Sequence, residues 1–434
     1  MSERPLPEGP AGPVVIVGFV GLTLEAIGAF QPADSVIYVE EPDVAAKRQL
    51  DQKMADLSFA RALIEWEYHL PGTADEFHQA YPDLAPSAIV PAIEYAVPFA
   101  ARLAERYGLP GASLGAAQIL RDKALLRRVT AAAGIANPAS VRVDSPADVL
   151  AFLRERSGPI VLKPANRQAS VGVQVVRDPG EVETAWQHCL VQDEGIFVPD
   201  RPIEVSMLAE QFVEGAEFSV EMLVREGEPL FTNVTGKRLF PGPYPVELAH
   251  VVPADTTDDL SRLLGERTAR LVAATGFRTG VVHCEWIVSD GVPYLVECAG
   301  RMPGDAIPDI IEMAYPIELF RSYYAVMRGE EPPAPLPARA ARAAAVRFVA
   351  PQQTGTVEAV HGLEDAARSE GVVHVDMGGA PVGRRFTGLR NSWDRAGIVM
   401  TLADGPALAL RQGEAAAALI RVDLAPDPRP PAGE

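Results

Sequence analysis

The sequence is poor in cysteine and in positive charge. Its 434 residues include only three cysteines, Cys189, Cys284 and Cys298, which are too few for a disulfide framework or a zinc signature. Lysine and arginine number 39 against 58 aspartate and glutamate residues, a net charge of −19, which argues against a surface for nucleic acid or anionic membranes. No apolar run reaches the length of a membrane span. We therefore expect a cytoplasmic protein that binds neither nucleic acid nor membrane.

The residues that are present in quantity are typical of a globular α/β protein. Apolar residues make up 48% of the chain, and its length is enough for two to four domains. The apolar runs VVIVGFV (14–20) and SVIYVE (35–40), separated by a helical stretch, predict a parallel strand–helix–strand unit. The glycines between these runs lack the G-x-G-x-x-G spacing, which argues against a dinucleotide-dependent dehydrogenase.

The middle of the chain contains a predicted hairpin with two carboxylates. The extended runs VVHCEWIV and PYLVEC flank the turn residues SDGV, a pattern typical of a β-hairpin. A turn centred on Gly291 places Glu285 opposite Glu297, and Cys284 opposite Cys298 on the other face. Opposed carboxylates repel each other unless a cation lies between them, and Mg²⁺ prefers such oxygen ligands. The alternatives are a register shifted by one residue and a glutamate face that meets solvent.

A polar loop follows the strand PIVLK, which ends at Lys163. The loop, NRQASVGV, contains the small residues Ala169, Ser170 and Gly172. Such a loop brings backbone N–H groups close to phosphate oxygens while a lysine supplies a point charge. Lys123, upstream in RDKALL, is a second candidate, although each lysine by itself is equally compatible with a surface charge.

A further polar stretch, AEQFVEGAEFSVE, predicts a strand, a turn and a second strand. Period-two alternation places Glu217, Ser219 and Glu221 on one face of the second strand. These acidic residues either meet solvent or line a site.

Taken in order, Lys123, KPANRQASVG, AEQFVEGAEFSVE, CEW and ECAGRMPG resemble the motifs of the ATP-grasp superfamily, from Val14 to about Val422. TGKRLF, ELAHVVPA and ECAGRMPGD are similar to stretches of its carboxylate–amine ligases, which include L-amino acid ligases of the bacilysin synthetase type. The resemblance implies an α/β fold with an N-terminal Rossmann-like parallel domain, a two-lobed ATP-grasp core and a C-terminal α/β subdomain. The expected division is a disordered lead (1–13), the N-terminal domain (14–114), the A/B lobe (115–206), the central lobe with the metal site (207–330), a linker (331–345), the C-terminal subdomain (346–422) and a disordered tail (423–434).

The resemblance implies that the lysines and the loop bind the phosphates of ATP. Lys123 and Lys163 match the two lysines that hold these phosphates in the superfamily. Ser170 and Gly172 match positions in the loop that folds over them.

The resemblance also implies contacts to the adenosine part of ATP. Glu210 to Val213 match the segment between the two lobes, where backbone groups of Phe212 or Val213 pair with adenine. Glu217 matches a residue that contacts the ribose.

The remaining matches concern the metal and the reaction. Glu285 and Glu297 match the paired ligands of Mg²⁺, for which Mn²⁺ is an alternative. Arg301 matches the arginine that faces the transferred phosphoryl group, and His250 matches a histidine of the substrate pocket. Many members carry a metal-binding asparagine where this chain has Ala299, so one metal ion and two remain alternatives.

The function implied by the resemblance is ATP-dependent ligation. A small-molecule carboxylate, expected to be an amino acid, is activated as an acyl phosphate and joined to an amine with release of ADP and phosphate. Two other interpretations stay open: an ATP-grasp enzyme with another acceptor, such as a carrier-protein thiol or bicarbonate, and an ATP-binding regulator that has lost catalysis. A homodimer is compatible with all of them.

Overall fold

The computed structural model describes residues 12–156, 158–190, 194–242, 244–351 and 353–426. Nearly all of the predicted lead (1–13) and most of the predicted tail (423–434) lie outside these residues. In the part of the chain that the structure describes, no helix has both the length and the apolar character needed to cross a bilayer.

The N-terminal domain contains the predicted parallel sheet. Its strands are β1 (Val14–Val17), β2 (Val36–Glu40), β3 (Ala60–Glu65) and β4 (Ala88–Pro91), accompanied by helices α1 (Leu24–Gly28), α2 (Pro42–Lys47), α3 (Leu50–Ala55), α4 (Thr73–Ala80) and α5 (Val97–Tyr107). Every residue of β1 and β2 is buried, as expected for strands whose two faces are both covered. The strand order is β3–β2–β1–β4, with all pairs parallel. The neighbours β1 and β4 therefore flank the point where the connections change direction, which is where such sheets bind ligands.

A second four-stranded sheet follows two helices. The elements are α6 (Leu114–Arg121), α7 (Lys123–Ala132), β5 (Ser140–Val143), α8 (Pro146–Arg156), β6 (Ile160–Pro164), β7 (Gln174–Val176), α9 (Val182–Leu190) and β8 (Met207–Gln211). The antiparallel strand order is β5–β8–β6–β7. The side chain of Asp122 accepts hydrogen bonds from the first N–H groups of α7, which is the usual way to cap a helix. The cap fixes Lys123 as the first residue of this helix.

The central sheet has eight antiparallel strands and includes part of the C-terminal region. Its elements are β9 (Ala216–Arg225), β10 (Glu228–Leu239), β11 (Glu247–Val252), β12 (Gly280–Ser289), β13 (Val292–Ala299), β14 (Ala343–Val349), β16 (Val372–Asp376) and β18 (Gly397–Ala403), with helices α10 (Asp258–Thr275), α11 (Ile307–Ala314) and α12 (Leu319–Met327). The strand order is β13–β12–β9–β10–β11–β14–β18–β16. The predicted strands β8 and β9 are consecutive in the chain but belong to different sheets, so the turn between them connects two lobes.

The C-terminal region differs from its prediction in two ways. Its remaining elements are α13 (Leu363–Ala367), α14 (Pro406–Ala417) and a three-stranded sheet of β15 (Gly355–His361), β17 (Arg385–Phe386) and β19 (Arg421–Ala425). The predicted linker (331–345) is too long, because β14 already begins at Ala343 and pairs with β11. The predicted tail begins too early, because β19 pairs with β15 as far as Ala425.

The predicted hairpin forms with its two glutamates opposed. Strands β12 and β13 pair Cys284 with Cys298 and Glu285 with Glu297. The turn is tighter than predicted, since Ser289 pairs with Val292. A one-residue bulge, indicated by the register shift after Glu285, restores the predicted register at the glutamates. The opposition of Glu285 and Glu297 is therefore confirmed, although the turn centre was wrong.

Candidate active site

A cavity of about 1080 Å³ brings the predicted site residues together. It is lined by residues of the N-terminal domain, the second four-stranded sheet, the central sheet and the C-terminal region. The predicted residues on its wall are Lys123, Lys163, Ser170, Glu210, Phe212, Val213, Glu217, His250, Glu285, Glu297 and Arg301. Gly172 does not line the cavity. It has a φ of +76°, and a Cβ there would lie 3.1 Å from Cγ of Pro164 and 3.2 Å from the carbonyl oxygen of Cys189. The glycine is thus required by the packing beneath the loop.

The floor of the cavity is one face of the central sheet. The cross-strand pairs align Glu285 with Ser219, and His283 with Glu221. Because side chains alternate between the two faces of a strand, every second residue points to the same side. The polar residues of this face are Glu217, Ser219 and Glu221 on β9, Asn233, Thr235 and Lys237 on β10, His283 and Glu285 on β12, and Glu297 on β13.

Glu285 is held between two cationic side chains. Its Oε1 accepts hydrogen bonds from Nζ of Lys237 and lies 3.3 Å from Nε2 of His283. Burial raises the pKa of Glu285, but Lys237 and His283 outweigh burial and hold this pKa far below its usual range. The Lys237 side chain is only 4% exposed. Glu285 is therefore an ionised carboxylate at the cavity wall.

A buried carboxylate supports His283 from behind. Glu221 Oε1 lies 2.9 Å from Nδ1 of His283, and the same carboxylate accepts hydrogen bonds from Ser219, Asn233 and Thr235 at 2.6–2.7 Å. Burial lowers the pKa of His283, but hydrogen bonds to Glu221 and Glu285 raise it to about 9. The imidazolium form links the buried Glu221 to Glu285.

Glu297 is held by Lys123 at the start of α7. Nζ of Lys123 lies 2.9 Å from Oε2 of Glu297 and donates to the carbonyl oxygen of Arg167 at 2.8 Å. The Glu297 side chain is 32% exposed, so its carboxylate is open to the cavity. Ala299 pairs with His283 and adds no ligand atom.

The two glutamates fit Mg²⁺, which usually takes one or two carboxylates together with phosphate oxygens and water. Within the described ranges, no group of three His, Cys, Asp or Glu side chains is arranged to hold a metal ion. Glu285 and Glu297 would therefore be the protein's ligands, and phosphate and water would complete the shell.

Lys163 belongs to a buried ionic group. Its Nζ lies 2.6 Å from Oε2 of Glu210, and Arg127 binds the same carboxylate through Nε at 2.7 Å and NH2 at 3.2 Å. The side chains of Lys163 and Glu210 are 6% and 3% exposed. Burial opposes the charged form of Glu210, but Arg127 and Lys163 hold its pKa below the usual range. The structure thus gives Lys163 a structural partner as well as a place on the cavity wall.

The predicted adenine segment follows β8 at the edge of the cavity. The backbone N–H of Phe212 donates to the carbonyl oxygen of Pro159 at 3.1 Å, so this N–H already has a partner within the protein. Glu217 lies further along the same wall. Burial raises the pKa of Glu217 to about 7, and the positive charge of Lys237 opposes this rise.

Arg301 is oriented by a carboxylate of the N-terminal domain. Its Nε lies 3.0 Å from Oε2 of Glu94, and its NH1 donates to the carbonyl oxygen of Met302 at 2.9 Å. Glu94 is 6% exposed and also binds NH1 of Arg121 at 3.2 Å. The pair Glu94–Arg301 therefore ties the N-terminal domain to the turn after β13.

His250 lies where the C-terminal region reaches the cavity. Its Nε2 is 3.4 Å from Oδ2 of Asp305. The Asp305 carboxylate also accepts hydrogen bonds from both terminal nitrogens of Arg395, with NH1 at 3.0 Å. Asp305 has a φ of +59°, a conformation that costs energy outside glycine. Arg395 lies 3.8 Å from the centre of the Phe348 ring. These contacts close one side of the cavity with residues from the C-terminal region.

Several residues of the site are absent from the sequence predictions. Lys237 and Asp305 lie inside the stretches TGKRLF and ECAGRMPGD, and His283 precedes Glu285 by two residues, on the same strand face. This period-two signal predicts a site-facing His283. In contrast, Glu94 and Arg395 are far from any of the motifs, and only the tertiary structure brings them to the cavity.

Comparisons with known proteins identify the type of domain that carries this cavity. Residues 156–309 match the family model of an ATP-grasp domain, and residues 347–425 match an L-amino acid ligase C-terminal domain 2. The chain is 27% identical over 225 residues to the alanine–anticapsin ligase of Bacillus subtilis. The aligned stretch covers 48% of this chain and 47% of that ligase. The chain covers less than two thirds of the length of each of the first curated relatives it matches.

Solved structures support the same fold. The L-amino acid ligase from Bacillus licheniformis superposes with a TM-score of 0.77 at 19% identity, covering 96% of this chain and 100% of that one. The biotin carboxylase domain of the 2-oxoglutarate carboxylase from Hydrogenobacter thermophilus, solved with MgADP and bicarbonate, gives 0.67 at 14% identity, covering 96% of this chain and 92% of that one. At these identities the likeness shows the fold. The predicted α/β fold, with its N-terminal parallel domain and ATP-grasp core, is confirmed.

Proposed function

We propose that this chain, which belongs to the ATP-grasp superfamily and carries a C-terminal domain of the L-amino acid ligase type, is an ATP-dependent carboxylate–amine ligase. The observation that carries the proposal is the meeting of Glu285, Glu297, Lys123, Lys163 and Arg301 on one cavity. Paired carboxylates beside lysines suit a metal-bound polyphosphate, and an arginine suits a carboxylate or acyl phosphate.

The first step joins two anions. An oxygen of the substrate carboxylate attacks the γ-phosphorus of ATP, the bond to the bridging oxygen breaks, and ADP leaves. Mg²⁺, when bound by Glu285 and Glu297, would neutralise phosphate charge. Lys123, Lys163 and Arg301 add positive charge around the transferring phosphoryl group, which is the main way proteins assist such transfers.

The second step forms the amide. The amine nitrogen attacks the acyl carbon, the bond to the phosphate oxygen breaks, and phosphate leaves while the nitrogen loses a proton. An acyl phosphate hydrolyses easily, so the site must exclude water. The loop 166–173 suits this role, because Oγ of Ser170 donates to the carbonyl oxygen of Pro245 in the central lobe at 3.3 Å.

The roles of the other predicted residues follow from their places. We assign the backbone of Phe212 and Val213 to adenine, Glu217 to the ribose, and His250 to the wall of the amino acid pocket. Glu210 acts through Lys163 rather than on the nucleotide itself. A cytoplasmic location and a homodimer remain predictions from the sequence.

The decisive experiment measures ADP release with MgATP and amino acids, offered singly and in pairs, with products identified by mass spectrometry. We expect ADP and a dipeptide in equal amounts, and neither from a folded Glu297→Gln variant. Release of phosphate only with a thiol acceptor or bicarbonate would instead favour another ATP-grasp activity. Binding of ATP without ADP formation for any carboxylate would favour a regulator.

A further inference from the structure

The cavity extends beyond its charged floor into an apolar part that the proposed reaction does not use. This apolar chamber is formed by Ile16, Phe19, Val90, Ile307, Tyr323 and Tyr324, which all line the cavity. Their side chains are between 1% and 3% exposed and belong to one apolar cluster of the core. The chamber therefore has a continuous apolar wall built from the N-terminal domain, α11 and α12.

The chamber lies at the place where a parallel sheet of this kind binds its ligands. Ile16 and Phe19 belong to the carboxyl end of β1 and the loop after it, and Val90 belongs to β4. These two strands are neighbours in the sheet, and the chain connections leave them in opposite directions. The half-buried Thr23 and the exposed Leu22, on the same loop after β1, also line the cavity.

The chamber adjoins the guanidinium group that faces the reacting carboxylate in our proposal. Arg301 is ion-paired with Glu94, three residues after the end of β4. Met302 and Ile307 follow Arg301 in the chain and line the cavity. A carboxylic acid held at Arg301 thus has the chamber within reach of its side chain.

The charged groups of the protein near the chamber do not favour a ligand with a charged side chain. Arg48 lines the cavity, but its NH1 donates to the carbonyl oxygen of Phe19 at 2.7 Å and lies 3.8 Å from the buried carboxylate of Glu40. Lys53 also lines the cavity but is exposed to solvent. Because burying an unpaired charge is costly while burying apolar surface is favourable, the wall suits an apolar group.

We propose that the apolar chamber receives the bulky apolar side chain of the amino acid whose carboxylate is activated. This inference rests on the proposed ligase function and adds the substrate class. It predicts that leucine, methionine or phenylalanine is the acid component, and that this residue becomes the N-terminal residue of the dipeptide.

The first test compares kcat/KM for different acids in the ADP-release assay, with the order of residues in the product read by fragmentation mass spectrometry. We expect large apolar acids to exceed alanine and glutamate by at least about tenfold, since one methylene in a fitted pocket is worth about that much. A preference for glycine, alanine or acidic amino acids would overturn the inference while leaving the ligase function intact. The apolar residue appearing only at the C-terminal position would also overturn it.

Two variants locate the effect. Val90→Phe fills the chamber, and we expect it to lower kcat/KM for leucine and phenylalanine at least about tenfold while KM for ATP is unchanged. Ile16→Ala enlarges the chamber and shifts the preference toward larger acids. Val15→Ala is the matched control, because Val15 is equally buried on the same strand but belongs to the apolar cluster of the opposite sheet face.

Ile16→Ala carries the test if Val90→Phe does not fold. If the acid preference is the same in the parent, Val90→Phe and Ile16→Ala, the chamber is not the side-chain pocket. If no carboxylate gives ADP, the ligase proposal fails by itself, and calorimetry with phenylalanine and leucine then tests the chamber directly. In that case the inference is overturned if neither amino acid binds, or if Ile16→Ala and Val90→Phe leave the binding unchanged.

Discussion

Replacing Lys163 by methionine separates the two roles that the structure gives this side chain. Lys163 lines the cavity and is also ion-paired with Glu210 at 2.6 Å, with both side chains almost fully buried. Methionine keeps most of the apolar stem and removes the charge. Loss of activity alone would therefore be ambiguous, because the variant also disturbs a buried ionic group.

The structural cost follows from what Glu210 retains. Removing one partner from a buried ion pair typically costs about 3–5 kcal/mol when it leaves a charge uncompensated. Here Arg127 still binds both oxygens of Glu210, so the loss is closer to that of one hydrogen bond to a charged group, about 2 kcal/mol. We expect Lys163→Met to be destabilised by this amount and to show a raised KM for ATP.

The double variant Lys163→Met/Glu210→Gln separates the effects. Because the two residues are in contact, the destabilisation of the double variant should differ by about 1 kcal/mol from the sum of the two single-variant destabilisations. KM for ATP in the double variant should remain as high as in Lys163→Met. Urea denaturation measures the stability, and ADP-release kinetics measure KM. Additive stability changes would show that the ion pair contributes nothing, and an unchanged KM in Lys163→Met would remove Lys163 from the nucleotide site.

Three further substitutions test other parts of the site. Glu297→Gln removes one of the two carboxylates that fit Mg²⁺, so we expect the Mg²⁺ concentration needed for activity to rise and turnover to fall at least about a hundredfold, with an unchanged melting curve. Near-normal turnover would mean that Glu297 only faces solvent. Arg301→Lys replaces a planar fork by a point charge, so ATP binding measured by calorimetry should persist while dipeptide formation is largely lost, and equal ligation rates would place the acyl phosphate elsewhere. Arg395→Gln releases the Asp305 carboxylate, so KM for the amino acid should rise without a change in KM for ATP, and the reverse pattern would separate the C-terminal region from the substrate pocket.

Local patterns in the sequence were enough to predict the strands and the opposed glutamates. The hairpin β12–β13 depends on an Asp-Gly turn and on period-two alternation, and both act over a few residues. Even so, the predicted cross-strand pairing beside the turn was shifted by one residue, and the bulge indicated by the register shift after Glu285 corrected the register. The prediction of Glu285 opposite Glu297 thus succeeded because an error in the turn and a bulge in the strand cancelled.

The same alternation carried more information than the predictions used. His283 stands two residues before Glu285 and therefore on the same face, and Lys237 follows Thr235 in the same way. Which carboxylate each cation binds depends on the neighbouring strands. The registers of β9 with β10 and β12 are set by pairings between distant segments.

Only the tertiary structure decided how the ends of the chain complete the cavity. Strand β14 joins the central sheet beside β11, so the C-terminal region is continuous with the sheet that carries the site and brings Arg395 to Asp305. The β1–β4 neighbourhood of the N-terminal sheet brings Phe19 and Val90 to Tyr323 across more than two hundred residues of sequence. Turns and alternation are local properties that the sequence determines by itself. The cavity depends on strand order and on burial between distant segments, which no short stretch of residues specifies.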